Sequence, residues 1–201
     1  MLPGTRILLV ACLAVLSTSA LAQTPPTRIR GTITAADLKT LSVATREGAK
    51  VEIALSDKVR VASVKQANLA DIAPGTFIGA AAQPASDGKL QALEVVVFPE
   101  SMRGTGEGHF PWDLTPSSSM TNATVSAVVE QASGRVLSLS YKGGSVEMRV
   151  PPDIPIVTPV PAVLADLKPG LPVFVVANKA AGGDLTAAFI AVGKDGVAPP
   201  M

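Results

Sequence analysis

Leu69-Ala70-Asp71-Ile72-Ala73-Pro74-Gly75 recurs 95 residues later as Leu164-Ala165-Asp166-Leu167-Lys168-Pro169-Gly170. Gly88-Lys89-Leu90-Gln91-Ala92 returns at the same offset as Gly183-Asp184-Leu185-Thr186-Ala187, and Gly48-Ala49-Lys50-Val51-Glu52-Ile53 as Gly143-Gly144-Ser145-Val146-Glu147-Met148. Thr32-Ile33-Thr34-Ala35 matches Thr124-Val125-Ser126-Ala127 at an offset of 92, so the first hairpin of the second copy is slightly longer. Three blocks sharing one offset do not arise by chance. The chain reads as one small unit written twice.

Working outward from these blocks, each copy is a succession of short strands. In the first, residues 28–35, 40–45, 50–55, 59–62, 77–82 and 90–98 alternate or carry β-branched runs. The second copy gives 123–129, 136–141, 146–150, 154–157, 173–178 and 185–192. Glu47-Gly48, Pro74-Gly75 and Ser86-Asp87-Gly88 supply turns between them. One helical turn is expected in each copy, around 65–72 and 163–168, where Pro-Gly halts it. Pro151, Pro152, Pro155, Pro159 and Pro161 stiffen the second copy and point to an edge position for its fourth strand.

Short strands in about 75 residues leave too many edges for two packed layers, so closing the sheet on itself is the favoured solution. The expectation is therefore an all-β protein of two tandem small β-barrel (OB-like) domains related by internal duplication. Repeat 1 covers 23–98, an inter-domain linker 99–121, repeat 2 122–195 and a tail 196–201. Barrels this small bury only about 60% of their unfolded surface, so the two are expected to pack together.

The first 22 residues stand apart. Arg6 precedes an apolar run from Ile7 to Leu16, and Ala20-Leu21-Ala22 before Gln23 has the small-residue pattern of a signal-peptidase site. Cleavage after Ala22 and release to the periplasm is the expectation. The alternative is a lipid anchor on Cys12, the only cysteine of the chain. No other segment approaches the roughly 20 apolar residues of a membrane span. Without Arg6, 16 basic residues face 16 acidic ones. A balanced, interspersed charge argues against nucleic acid as a partner, which leaves an envelope protein or a small ligand.

The strand-and-turn pattern that closes on Leu164-Ala165-Asp166-Leu167-Lys168-Pro169-Gly170, then Gly183-Asp184-Leu185-Thr186-Ala187 and a Val-rich strand, resembles a family of bacterial secreted β-barrel domains of unknown function. Phe98-Pro99-Glu100-Ser101-Met102-Arg103-Gly104-Thr105-Gly106-Glu107-Gly108-His109, running on through Pro111-Trp112-Asp113-Leu114, is similar to the stretch between copies in a two-copy alphaproteobacterial subgroup. That subgroup often bears the label of a metal ABC transporter permease. A permease needs several membrane spans, which this chain lacks after residue 22, so only the hint of a metal carries over. The resemblance implies no activity and no site residues.

Chemistry concentrates in the unrepeated stretch 99–122. It holds the only histidine, His109, the only tryptophan, Trp112, and Met102 and Met120. Arg103, Glu107, His109, Trp112 and Asp113 are candidates for gripping a peptide, a small acid or a protein partner. A copper-type site, or one for another transition metal, would draw on Met102, His109 and Met120, with Glu107 and Asp113 as further oxygen donors. The plainer alternative is that Trp and Met pack the linker between the barrels. Gly104-Thr105-Gly106-Glu107-Gly108 lacks the following helix and lysine of a phosphate loop, since Pro111 and Pro116 come instead.

An enzyme is hard to assemble. One histidine limits any serine triad, and a glycosidase needs two carboxylates across a cleft. Most acids here, including Asp71, Asp87, Asp166 and Asp184, sit at turns. The reading is a non-catalytic periplasmic binding or structural module using the inter-domain segment and the inter-barrel groove, without a cofactor. The alternative is a periplasmic copper-type metal-binding protein. A hydrolase with a carboxylate pair is a distant third.

Overall fold

A computed structural model describes residues 25–132 and 134–200. The expectations placed on residues 1–22, including Cys12, lie outside the described residues. Among the described residues, thirteen strands make one continuous all-β sheet. They are β1 (Thr27–Ala36), β2 (Thr40–Thr45), β3 (Lys50–Ala54), β4 (Arg60–Gln66), β5 (Phe77–Pro84), β6 (Leu90–Val97), β7 (Gly108–Pro111), β8 (Ser119–Gln131), β9 (Gly134–Tyr141), β10 (Gly144–Val150), β11 (Ile156–Pro161), β12 (Pro172–Lys179) and β13 (Leu185–Val192). Each strand expected from the alternation overlaps an observed one, though the one expected at 154–157 runs instead from Ile156 to Pro161. No described helix is long and apolar enough to cross a membrane.

The repeated Leu-Ala-Asp blocks form matching single 3-10 turns, Leu69–Asp71 and Leu164–Asp166. In each, the aspartate Oδ2 accepts a backbone N–H three residues back, from Asn68 at 2.7 Å and from Val163 at 2.8 Å. The turns end at Gly75 and Gly170, whose φ angles of 91° and 87° suit glycine alone without strain. Their amides then close on Val125 and Ile33, each at 2.8 Å.

Strand pairing departs from the expectation of one barrel per copy. β1, β2 and β3 of the first copy pair onward through β1–β12 to β12 and β13 of the second. β8, β9 and β10 of the second copy pair through β5–β8 to β5 and β6 of the first. The circuit β5-β6-β10-β9-β8 is a closed five-stranded barrel, joined by the parallel pairs Met148↔Leu90 and Arg149↔Gln91. The circuit β1-β2-β3-β13-β12 meets at a single pair, Thr186↔Ala54. Repeats in sequence and barrels in space therefore do not coincide.

The exchange pivots on β4 and β11. They pair antiparallel with Val64 opposite Pro159, two positions that stand 95 apart, so the ladder is symmetric about that point. β4 also runs parallel to β13, and β11 to β6. This corrects the edge placement expected for the fourth strand of the second copy. Ile156 and Val157 pair on the β6 side, while Pro159 and Pro161 lie beyond that contact and face only β4. The missing N–H groups fall where one flank of the strand is already free.

Each barrel has its own apolar core. Ile78, Val95, Val125, Leu137, Leu139 and Met148 fill the first, and Ile33, Leu41, Val43, Ile53, Val175 and Ile190 the second. A smaller cluster of Val64, Val96 and Val157 lies at the junction, covered by Phe98 and Val197.

Candidate functional site

The segment between the copies is a built structure rather than a free linker. Its strand β7 was not legible in the sequence. It pairs antiparallel with the first part of β8, from Gly108↔Asn122 to Pro111↔Ser119. That part of β8 already pairs β5 on its other side, and β9 joins only from Thr124 onward. β7 thus occupies an edge of β8 that would otherwise offer unpaired amides.

Register decides where the candidate side chains go. His109 stands opposite Thr121, and its Nδ1 shares a 2.8 Å hydrogen bond with the fully buried Thr121 hydroxyl. The imidazole stacks on Tyr141 with ring centroids 6.2 Å apart. Phe110 stands opposite Met120, which is buried, and strand alternation puts this pair on the other face from His109. Met102 lies half-buried in the 3-10 turn Glu100–Met102. His109 and Met120 face away from each other, so the expected copper set of Met102, His109 and Met120 does not converge.

The charged candidates also separate, each to its own partner. Arg103 makes a two-point pair with Glu100 at 2.6 and 2.7 Å and reaches the Gly75 carbonyl at 2.8 Å and the Thr124 hydroxyl at 3.3 Å. The hydrogen bond from Arg103 holds the Glu100 carboxyl below its ordinary range. Glu107 accepts the Lys142 amide at 3.0 Å. Arg103, Glu107 and Asp113 do not form one cluster.

Trp112 and Asp113 cross to the other barrel. Trp112 follows β7, its amide donating to Ser118 at 2.8 Å within a tight loop whose Ser118 hydroxyl donates back to Trp112 at 3.0 Å. The indole meets Phe110 edge-on at 6.0 Å and Phe174 of β12 at 6.5 Å. The guanidinium carbon of Arg28 on β1 lies 3.9 Å from the ring centroid, within cation–π range. Arg30 sits 5.8 Å from the same ring and 5.2 Å from that of Phe174. Asp113 takes a 2.8 Å hydrogen bond from Arg30 and lies 3.7 Å from Arg28. Burial pushes the Asp113 carboxyl up, but the hydrogen bond and charge of Arg30, with the charge of Arg28, outweigh it and leave the group below its ordinary value.

Arg28, Arg30 and Phe174 are the contacts that sequence reasoning missed. One signal was present: Arg28 and Arg30 are two apart on a strand, so both cations share a face next to each other. What they face is a long-range matter.

A groove of about 390 Å³ runs along the junction of the barrels. Arg46, Gln66, Glu94 and Asp153 line it, and the tail residues Gly196–Pro200 run beside them, with Pro199 and Pro200 buried. Among the described residues, no group of three or more His, Cys, Asp or Glu side chains is placed to hold a metal ion. Set against family models, curated proteins and solved structures, the chain matches none.

Proposed function

We propose that this chain is an exported, non-catalytic module of the bacterial envelope, released to the periplasm after Ala22 and serving there as a binding or structural unit. Its origin by duplication of one unit of about 95 residues is part of the same reading. The observation that carries it is the clasp of Trp112 and Asp113 on Arg28, Arg30 and Phe174. The one unrepeated, aromatic stretch of the chain is committed to joining the two barrels. Each charged side chain in it has an internal partner, which supports positioning over turnover. The tail beside the groove supports a packing use for that surface as well.

Native mass spectrometry of the protein isolated from its own periplasm tests this. A bare mass for residues 23–201, or that mass with a protein partner, is expected. A lipid-modified chain beginning at Cys12 would overturn the localisation, and a stoichiometric copper ion would overturn the functional reading.

A further inference from the structure

The two barrels close differently, and the less closed one leaves an open gap beside the β3 edge. At the first seam, Met148 and Arg149 of β10 pair with Leu90 and Gln91 of β6. Arg149 then reaches across to Asp87 at 3.0 Å. At the matching seam only Ala54 and Thr186 pair, so β3 and β13 diverge one residue sooner. The space between them is about 590 Å³, against 240 Å³ at the first seam.

The edge of β3 is open there. Leu55 donates to Lys39 at 2.7 Å and Thr45 to Ala49 at 2.7 Å. Antiparallel alternation therefore turns the odd-numbered residues of β3 toward β2 and directs the amides and carbonyls of Lys50 and Glu52 into the gap. The partly exposed Val51 and Leu185 supply an apolar lining. An exposed edge of this kind pairs readily with an added strand.

The charges say what that strand carries. Lys89 and Arg149 line the first seam, beside Glu147. The matching positions at the second are Asp184, Ala54 and Glu52. Both cations are gone, and the latch position that holds Asp87 in one copy is Gly182 in the other. Two carboxylates, Glu52 and Asp184, line the gap, and one cation, Lys50, stands beside Glu52 on the exposed face of β3, so the edge keeps an acidic balance.

We infer that the β3–β13 seam docks a short extended peptide segment of another protein, carrying arginine or lysine, as an added strand. The cation of that segment pairs with the carboxylates of Glu52 and Asp184 that line the seam. This site is separate from the Trp112 clasp and from the inter-barrel groove, so it stands or falls independently of the function proposed above.

The test is titration of the exported chain, followed by amide NMR shifts, with an acetylated and amidated hexapeptide of alternating valine and arginine. Shifts confined to residues 50–54 and 183–186 are expected, with a valine–glutamate peptide at least about tenfold weaker. Rebuilding the latch with Ala54→Arg and Gly182→Asp should weaken the arginine peptide by at least about tenfold. Ala54 is exposed, and a Cβ on Gly182 has room, with its nearest neighbour 4.0 Å away. Should that variant fail to fold, Glu52→Gln with Asp184→Asn keeps the shape and should abolish the preference for arginine over glutamate. No seam shifts at millimolar peptide, equal binding of both peptides, or indifference to both variants overturns the inference. So does concentration-dependent dimerisation through these same residues, which would make the occupant a second copy.

Discussion

The first barrel closes through two residue pairs and an ion pair, the second through one residue pair and no cation. The two circuits share a strand order but differ at the seam, and the difference shows two ways a small sheet can close. Backbone pairing at the seam is parallel and short, and a side chain crossing it holds the last residues in register. The second barrel is supported from elsewhere. β1 and β12, opposite its open seam, carry the Arg28, Arg30 and Phe174 contacts to Trp112 and Asp113. The joining segment holds both, β7 and Arg103 on the first and Trp112 and Asp113 on the second, whose own seam is the shorter.

Several measurements break or sharpen that contrast. The largest effect belongs to the cores. Leu137→Ala in the first barrel and Leu41→Ala in the second, both fully buried, should each cost about 2–5 kcal/mol. Because each barrel contains strands of both copies, calorimetry should show a single transition moving down in either variant. Two separable transitions would mean that the barrels unfold independently despite the exchange.

Trp112→Ala comes next. The ring is only partly buried, so about 2 kcal/mol is expected, below the usual tryptophan range. Hydrogen exchange should quicken in β1 and β12 and leave β9 and β10 unchanged. Equal loosening of both barrels would sink the idea that the clasp serves the second one.

Arg149→Ala removes a partly exposed pair and should cost about 1 kcal/mol or less. Its signature is local: faster exchange of the amides around Leu90 and Met148, making the first seam behave like the second. Unaltered exchange there would show that backbone pairing alone holds it.

The smallest effect is with acid. The Asp113 carboxyl titrates below its ordinary value in the folded chain, so its contribution is present above the unfolded pKa of about 3.9 and is lost as pH falls through the lower folded one. Trp112 emission should therefore hold steady from pH 7 to 5 and change only below about pH 4. Asp113→Asn should abolish that acid step. A change already complete at pH 5 would contradict the pairing with Arg30.

Much of the local structure was legible in the sequence. The alternation of β2 or β13 is a matter of neighbouring side chains on one pleated face, and the Asp71 and Asp166 turns are satisfied within four residues. β7 was not legible, since Gly108-His109-Phe110-Pro111 is short and becomes a strand only because β8 offers it an edge. The candidate site was half legible. His109, Trp112 and Asp113 stood out by rarity, but His109 turns to Thr121 and Tyr141 while Trp112 and Asp113 reach Arg28, Arg30 and Phe174. The partners on β1 and β12 lie more than sixty residues away in either direction.

By itself the sequence determined the strands, the turns and the stretch where unusual side chains gather. All of these follow from contacts within a few residues. The tertiary structure alone decided which strands close which barrel. Strands of similar length and pattern present edges that either partner can pair, so staying within a half of the chain or exchanging between halves satisfies the same kind of backbone hydrogen bonds. The choice fell to long-range terms, the symmetric pairing of β4 with β11 and the crossing of Trp112 to the far barrel, which no local pattern encodes.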